Sequence, residues 1–150
     1  MKKAFTIISI IAYYSCNTIA QNFEWAKQMG GDCNGYGTGS GLSVKVDLSG
    51  NVYTTGEFWG TVDFDPDSGT YNLTSNGAYD AFVQKLDSLG HLVWVKYIGG
   101  TDYDEGCSLD IDKNGNVFIT GYFRDTVDFD PGSGVYNLTS IGTRTFLLKN

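Results

Sequence analysis

The stretch that decides the fold is TVDFDP at residues 61–66, which returns unchanged at residues 126–131, an offset of 65 residues. The similarity extends outward in both directions. Residues 47–75 align with residues 112–140 without a gap, and 20 of the 29 positions are identical. Identity at this level over a fixed offset is the signature of a tandem repeat, which has to be recognised before any single element is interpreted.

The composition and periodicity favour strands joined by tight turns. The 150 residues include 15% aromatics and 20 Gly but only 2 Pro. Apolar residues at 42, 44, 46 and 48 alternate with polar residues, which predicts a strand. The Asn-Gly pair at 114–115 is a strong hairpin signal. No stretch shows a helical period, so we expect an all-β fold.

The strand predicted at residues 51–58 is apolar on both faces, as a sheet stacked between two other sheets would be. Each repeat supplies about four antiparallel strands in roughly 60–70 residues. This favours a partial β-propeller of about two four-stranded antiparallel blades, with a stacked β-solenoid as the alternative. We expect residues 42–58 and 80–98 to form one complete blade.

Within that blade we expect Trp94 on the outer strand. The positions expected to be buried are Val44, Val46, Val52 and Phe82. If so, Val46→Asp should be severely destabilising, because an unpaired buried charge is costly.

Several phrases together resemble the β-propeller repeat family of secreted bacterial proteins, with repeats of the seven-bladed-propeller type. They are Trp-x-Lys followed by Gly-Gly, Asp-x-x-Gly-Asn-Val-Tyr/Phe-x-Thr-Gly, Val-Asp-Phe-Asp-Pro-x-Ser-Gly and Asn-Leu-Thr-Ser. The resemblance covers nearly all of residues 22–150. It implies a propeller blade as the structural unit and export as the fate, and it carries over no catalytic residues.

The first 20 residues have the pattern of a secretory signal peptide. Lys2 and Lys3 precede a short apolar run, and small residues precede Gln21. A lipid-modified Cys16 is the alternative. The run is too short for a permanent membrane helix. We therefore predict a signal peptide at 1–20 and a secreted or cell-surface repeat segment at 21–150, with repeats at about 22–90 and 91–150.

The charge balance argues against nucleic acid as a partner. The net charge is −7, and residues 21–150 carry 8 Lys and Arg against 17 Asp and Glu. Such an acidic surface repels phosphate backbones. The sequence predicts no transmembrane segment and leaves an unidentified protein or glycan as partner. Trp59, which stands where the other copy has Arg124, is either a sugar-stacking platform or an edge-packing side chain.

Acidic residues of the repeated stretch are candidate calcium ligands: Asp63, Asp65, Asp67, Asp128 and Asp130. Carboxylates at alternate positions can hold calcium if a turn gathers them. The alternative is that they are solvated and help to start the turn. The calcium hypothesis fails if added calcium leaves the melting temperature unchanged, and no other cofactor is predicted. Residues 110–116 also resemble the start of a calcium loop, but a hairpin turn is favoured there.

Other motifs favour structural roles. His91 is the only histidine, which excludes a multi-histidine metal site and leaves a histidine-based triad without support. The glycines at 35–41 predict a flexible connector rather than a phosphate loop. Cys33 and Cys107 could pair after export, but Cys107 aligns with Leu42, which favours a small core residue. The glycosylation sequons at 72–74 and 137–139 are interpreted as strands.

The function that this pattern favours is a non-catalytic interaction or cell-surface scaffold. The alternative is the N-terminal part of a secreted propeller enzyme, a hydrolase or lyase, whose site lies in further blades or in an attached domain. Two repeats are too few to close a ring, since propellers typically have about four to eight blades. We expect residues 21–150 to be the N-terminal part of a longer propeller. The alternative is head-to-tail copies in which residues 23–29 pair with residues 146–149 of the next copy.

Overall fold

The computed structural model describes residues 23–30, 37–142 and 144–149. The regular structure of these residues is entirely β, which confirms the all-β prediction, and none of them forms a helix that could cross a membrane. The predicted signal peptide, Cys16 and Cys33 lie outside the described residues. The strands are β1 (Gly37–Val46), β2 (Val52–Asp63), β3 (Asn72–Thr74), β4 (Asp80–Leu86), β5 (Leu92–Ile98), β6 (Glu105–Ile111), β7 (Val117–Phe123), β8 (Thr126–Asp128), β9 (Asn137–Thr139) and β10 (Arg144–Lys149).

The first repeat forms one antiparallel sheet, here called blade 1, with the strand order β1-β2-β4-β5. The short strand β3 pairs with the far end of β2. Hairpin turns join β1 to β2 and β4 to β5, which keeps sequential strands adjacent. The predicted four-stranded blade is therefore confirmed, and Trp94 lies on the outer strand β5 as predicted.

The glycines at 37–41 are part of a strand, so the prediction of a flexible connector over these residues is wrong. Gly37 pairs with Gly60 and Gly41 pairs with Gly56. A side chain on Gly37 would overlap the carbonyl of Thr61. Glycine is thus required here by the close approach of β1 to the long strand β2, a requirement that composition does not reveal.

The second repeat builds blade 2 on the same plan, with the order β10-β7-β6 among the described residues. Gly121 of β7 pairs with Phe146 of β10, just as Gly56 of β2 pairs with Phe82 of β4. The β8–β9 ribbon corresponds to the end of β2 with β3. Both sequons lie on strands, β3 and β9, as predicted.

Each blade has two faces, called here the front face and the back face and defined by the side chains that they carry. The front face of blade 1 carries Phe58, Phe82 and Val95, which form a core with Val62 and Phe64. The back face of blade 1 carries Tyr53 and Val83, and it packs against the front face of blade 2. This second core, which joins the blades, consists of the buried side chains of Tyr53, Val83, Ile98, Leu109, Val117, Ile119, Phe123, Val127, Phe129 and Phe146.

Two of the four predicted core positions are exposed, so this part of the prediction is wrong. Val44 is 60% exposed and Val46 is 61% exposed, whereas Val52 is half-buried and Phe82 is buried. Both exposed valines belong to the front face of β1, and the described residues leave more than half of each side chain open to solvent. Val46→Asp therefore places a charge in water rather than in a core, and we expect it to leave the folding of blade 1 almost unchanged.

The N-terminal segment was predicted to be a β-strand, but no strand is assigned to residues 23–29. The segment instead lies over the front face of blade 1. The Trp25 indole N–H donates to the Ser88 carbonyl at 3.1 Å, and Lys27 forms an ion pair with Asp67. Gly30 makes an isolated bridge to Asp63. Side-chain contacts rather than a strand ladder hold this segment.

Candidate functional site

The predicted calcium ligands of the first copy hold their own loop together. One carboxylate oxygen of Asp63 accepts the backbone N–H groups of Asp65 at 3.0 Å and Tyr71 at 2.8 Å. Asp65 in turn accepts the N–H of Asp67 at 2.9 Å. The carboxylates of Asp63 and Asp65 are thus turned toward backbone donors, which is the local hydrogen bonding that makes Asp favourable in turns, whereas that of Asp67 pairs with Lys27.

The second copy repeats this arrangement. Asp128 accepts the N–H groups of Asp130 at 3.0 Å and Tyr136 at 2.7 Å, and Asp130 accepts that of Gly132 at 2.7 Å. The hydrogen bond from Tyr136, followed by that from Asp130, lowers the pKa of Asp128. No group of three acidic, His or Cys residues fit to hold a metal ion occurs among the residues that the structure describes. Calcium binding by these aspartates stays a prediction.

The sequence at 110–116 forms a hairpin turn, as predicted. Asp112 accepts the N–H groups of Asn114 at 2.8 Å and Asn116 at 2.9 Å. The side-chain amide of Asn116 donates to the second carboxylate oxygen of Asp112 at 2.6 Å. This hydrogen bond is the largest cause of the lowered pKa of Asp112. Asp47 and Asn51 repeat these contacts in blade 1. The only histidine, His91, lies in a similar turn with its ring 3.1 Å from the Asp87 carboxylate.

A polar cluster lies at the seam between the blades. The Tyr103 hydroxyl donates to Glu57 of blade 1, and it also lies 3.2 Å from Glu105 of blade 2. The Cys107 thiol donates to Glu105 at 3.4 Å. Burial, reinforced by this carboxylate, raises the pKa of Cys107 to about 11. A thiol with such a pKa stays protonated, so Cys107 is a half-buried seam residue rather than an activated nucleophile.

Two fully buried carboxylates escaped the sequence-based prediction. Asp80 accepts the Asn76 N–H at 2.9 Å, and Asp104 accepts those of Gly100 at 2.7 Å and Arg124 at 3.1 Å. Burial raises the pKa of Asp80 from 3.8 to about 6, and burial also raises that of Asp104. No sequence signal marks them, because their burial depends on loops packed from distant parts of the chain.

We expect the Asp80 carboxyl to make the protein less stable as the pH rises. The pKa of Asp80 in the folded protein lies above its ordinary value. The contribution of this carboxyl to the free energy of unfolding is therefore complete below about pH 4 and is lost as the pH rises through 6. The loss from pH 4 to pH 7.5 is about 2.5 kcal/mol. In Asp80→Asn this component is absent, so the unfolding free energy of the variant falls less over that range. Urea unfolding at several pH values measures it.

The control for Asp80→Asn is Glu24→Gln, which neutralises an exposed carboxylate. Each variant is compared with the wild-type protein, so the opposite contributions of Asp47, Asp87 and Asp112, whose pKa values are lowered, cancel. Parallel curves of stability against pH for Asp80→Asn and the wild type would contradict the prediction.

Two groups of exposed apolar side chains lie on opposite surfaces of the two sheets. The front patch consists of Leu42, Val44 and Val46 on β1, all exposed. The back patch consists of Phe118, Tyr122 and Leu147 on β7 and β10; Phe118 is half-buried, and the other two are exposed. A contiguous exposed apolar surface on a sheet marks an interaction site. Trp59 is 40% exposed elsewhere on β2, and its role as a sugar platform stays a prediction.

Comparisons with known proteins agree with this architecture. A family model described as a β-propeller repeat matches residues 93–122. An uncharacterized WD repeat-containing protein of Acanthamoeba polyphaga mimivirus is 26% identical over 116 residues, which cover 68% of this chain but only 8% of that protein. No solved structure gives a significant match. The sheets and these two similarities support a β-propeller repeat family, and the fold is that of a partial β-propeller.

Proposed function

We propose that this protein is an exported, non-catalytic scaffold that binds a partner protein through the apolar faces of its blades. The observation that carries the proposal is the front patch, where three large apolar side chains of one strand face solvent together. Burying such side chains stabilises a complex by about 25 cal/mol for each Å² removed from water. Leaving them exposed in a monomer is unfavourable, so the patch is suited to a partner.

The two carboxylates with raised pKa values do not favour the enzyme hypothesis. Asp80 and Asp104 have relative exposures of 0% and 1%, and backbone N–H groups occupy oxygens of both. A substrate cannot reach them without local unfolding. Catalysis therefore stays the alternative hypothesis, and no observation at these two residues supports it.

Site-specific photo-crosslinking in the producing cells tests the scaffold proposal. A photoreactive side chain is placed at Val44 in the front patch, and at Leu89 in the β4–β5 turn as a control. Both positions are well exposed. We expect a discrete covalent adduct with a protein from position 44 and none from position 89. No adduct at position 44, or equal adducts from both positions, would overturn the proposal.

The same material tests export. If residues 1–20 are a signal peptide, the purified protein begins at Gln21, which N-terminal sequencing shows directly. A protein that retains Met1 and stays inside the cell contradicts this part of the proposal.

A further inference from the structure

The seam between the two blades shows how one repeat recognises the next. Leu109 and Ile119 on the front face of blade 2 are buried against Tyr53 and Val83 on the back face of blade 1. The blades therefore pack front to back, with the back face of blade 1 against the front face of blade 2. Among the residues that the structure describes, this front-to-back contact leaves the front face of blade 1 and the back face of blade 2 without another blade packed on them.

The repeat identifies those unused faces residue by residue. Val44 stands 65 residues before the buried Leu109, yet it is 60% exposed. Val83 pairs with Thr55 and Leu147 pairs with Thr120, the same ladder position of each blade. Val83 is buried, whereas Leu147 is 72% exposed. The front and back patches are thus second copies of the two surfaces that already fit together inside the chain.

Two details of the seam are also retained at the open faces. A side chain on Gly106 would overlap the Thr55 hydroxyl, so the blades approach closely there. The equivalent residues, Gly41 and Thr120, are again glycine and threonine. At the inner edge, Lys45 of blade 1 lies 3.6 Å from Asp110 of blade 2. These two residues occupy equivalent positions, so blade 2 followed by another blade 1 would again juxtapose opposite charges.

The N-terminal segment already occupies the outer part of the front face of blade 1. Trp25 lines a cleft there with Val46 and Val52, which are equivalent to Ile111 and Val117 of blade 2. Trp94 of the outer strand β5 packs against the core that contains Val117. Trp25 thus occupies the position on the front face of blade 1 that Trp94 of the outer strand β5 occupies on the front face of blade 2. The unfilled part has room for inner strands such as those of blade 2.

We propose that the partner at the front patch is a second copy of this chain, docked head to tail. The back face of blade 2 in one copy packs on the front face of blade 1 in the next, and the edge of β10 that has no strand partner among the described residues lies beside residues 23–30 of that next copy. This inference rests on the proposed scaffold function and names its partner. Because the contact is heterologous, it can close into a ring or extend.

Measurements of mass against concentration test the proposal on the purified full chain. We expect the wild-type mass to rise with concentration to at least twice that of one chain. Val44→Asp and Leu147→Asp each place a charge on one of the two patches, and each variant alone should stay monomeric. Both positions are exposed, so the circular dichroism spectrum should be unchanged. Leu89→Asp, an exposed turn substitution, is the control and should associate like the wild type.

A mixture of the two monomeric variants is the decisive measurement. Val44→Asp retains an intact back patch and Leu147→Asp retains an intact front patch, so an equimolar mixture should form a dimer and nothing larger. A monomeric wild-type protein at all concentrations, or a mixture without dimer, would overturn the proposal. If the crosslink at position 44 captures a different protein while the chain stays monomeric, the scaffold function stands and the second-copy proposal is wrong.

Discussion

Phe58→Ala should lower the free energy of unfolding by about 3–5 kcal/mol, the usual cost of removing a buried aromatic side chain. Phe58 has no exposed surface and makes edge-to-face contacts with Phe64 at 5.3 Å and Tyr97 at 5.9 Å between ring centroids. Typical domains have only about 5–15 kcal/mol of net stability. The variant should therefore be marginally folded, with a lower midpoint in urea.

Phe23→Ala is the matched control for Phe58→Ala, since the same atoms are removed from a side chain that is 82% exposed. The control should change the free energy of unfolding by less than about 0.5 kcal/mol. Similar midpoints for the two variants would show that the core over the front face of blade 1 contributes little to stability.

The repeat made most of the fold predictable. A period of 65 residues fixed the structural unit, and the alternation of apolar residues identified the central strands of both blades. The Asn-Gly pair at 114–115 and its counterpart at 49–50 located the hairpin turns, where Gly50 and Gly115 have φ values of 82° and 83°. The hairpin turns are local features. Hydrogen bonds and steric limits within each turn determine its conformation, independently of the residues that pack around it.

Burial was less predictable, because alternation shows which residues share a face and not whether another sheet covers it. Val44 and Leu109 belong to the same pattern at equivalent positions, yet one is exposed and the other is buried. The same limit applies to Asp80 and Asp104. Each is an ordinary loop or strand-end aspartate in the sequence, and only the packing of loops from distant parts of the chain removes it from water.

The candidate site was predicted in part. The sequence singled out Asp63 and Asp128 because they repeat, but repetition does not distinguish a metal ligand from a turn residue, and calcium binding stays a prediction. Their hydrogen bonds to Tyr71 and Tyr136 span eight residues of the chain and depend on the closed loop. The front patch was missed because the prediction placed its valines in a core.

Gly106→Ala should destabilise the protein by about 2–6 kcal/mol by forcing the two blades apart. The added methyl group would overlap the Thr55 hydroxyl, which is buried and donates to the Phe82 carbonyl at 2.6 Å. Moving the hydroxyl breaks this bond and leaves a buried polar group unpaired, which costs about 1–3 kcal/mol. Crowding the packed seam adds a similar amount. Urea unfolding of the dilute monomer measures the total.

Gly41→Ala is an internal control for the seam, because both glycines lie at the irregularity of the first strand in their blade. Its added methyl group would meet only Thr54, at 3.2 Å, so the monomer should lose less than about 1 kcal/mol. Equal losses for Gly41→Ala and Gly106→Ala would show that blade contact does not set the requirement at residue 106. If copies of the chain stack as proposed, Gly41 meets Thr120 of the neighbouring copy, and Gly41→Ala weakens association at unchanged monomer stability. The same substitution then acts on folding in one repeat and on assembly in the other.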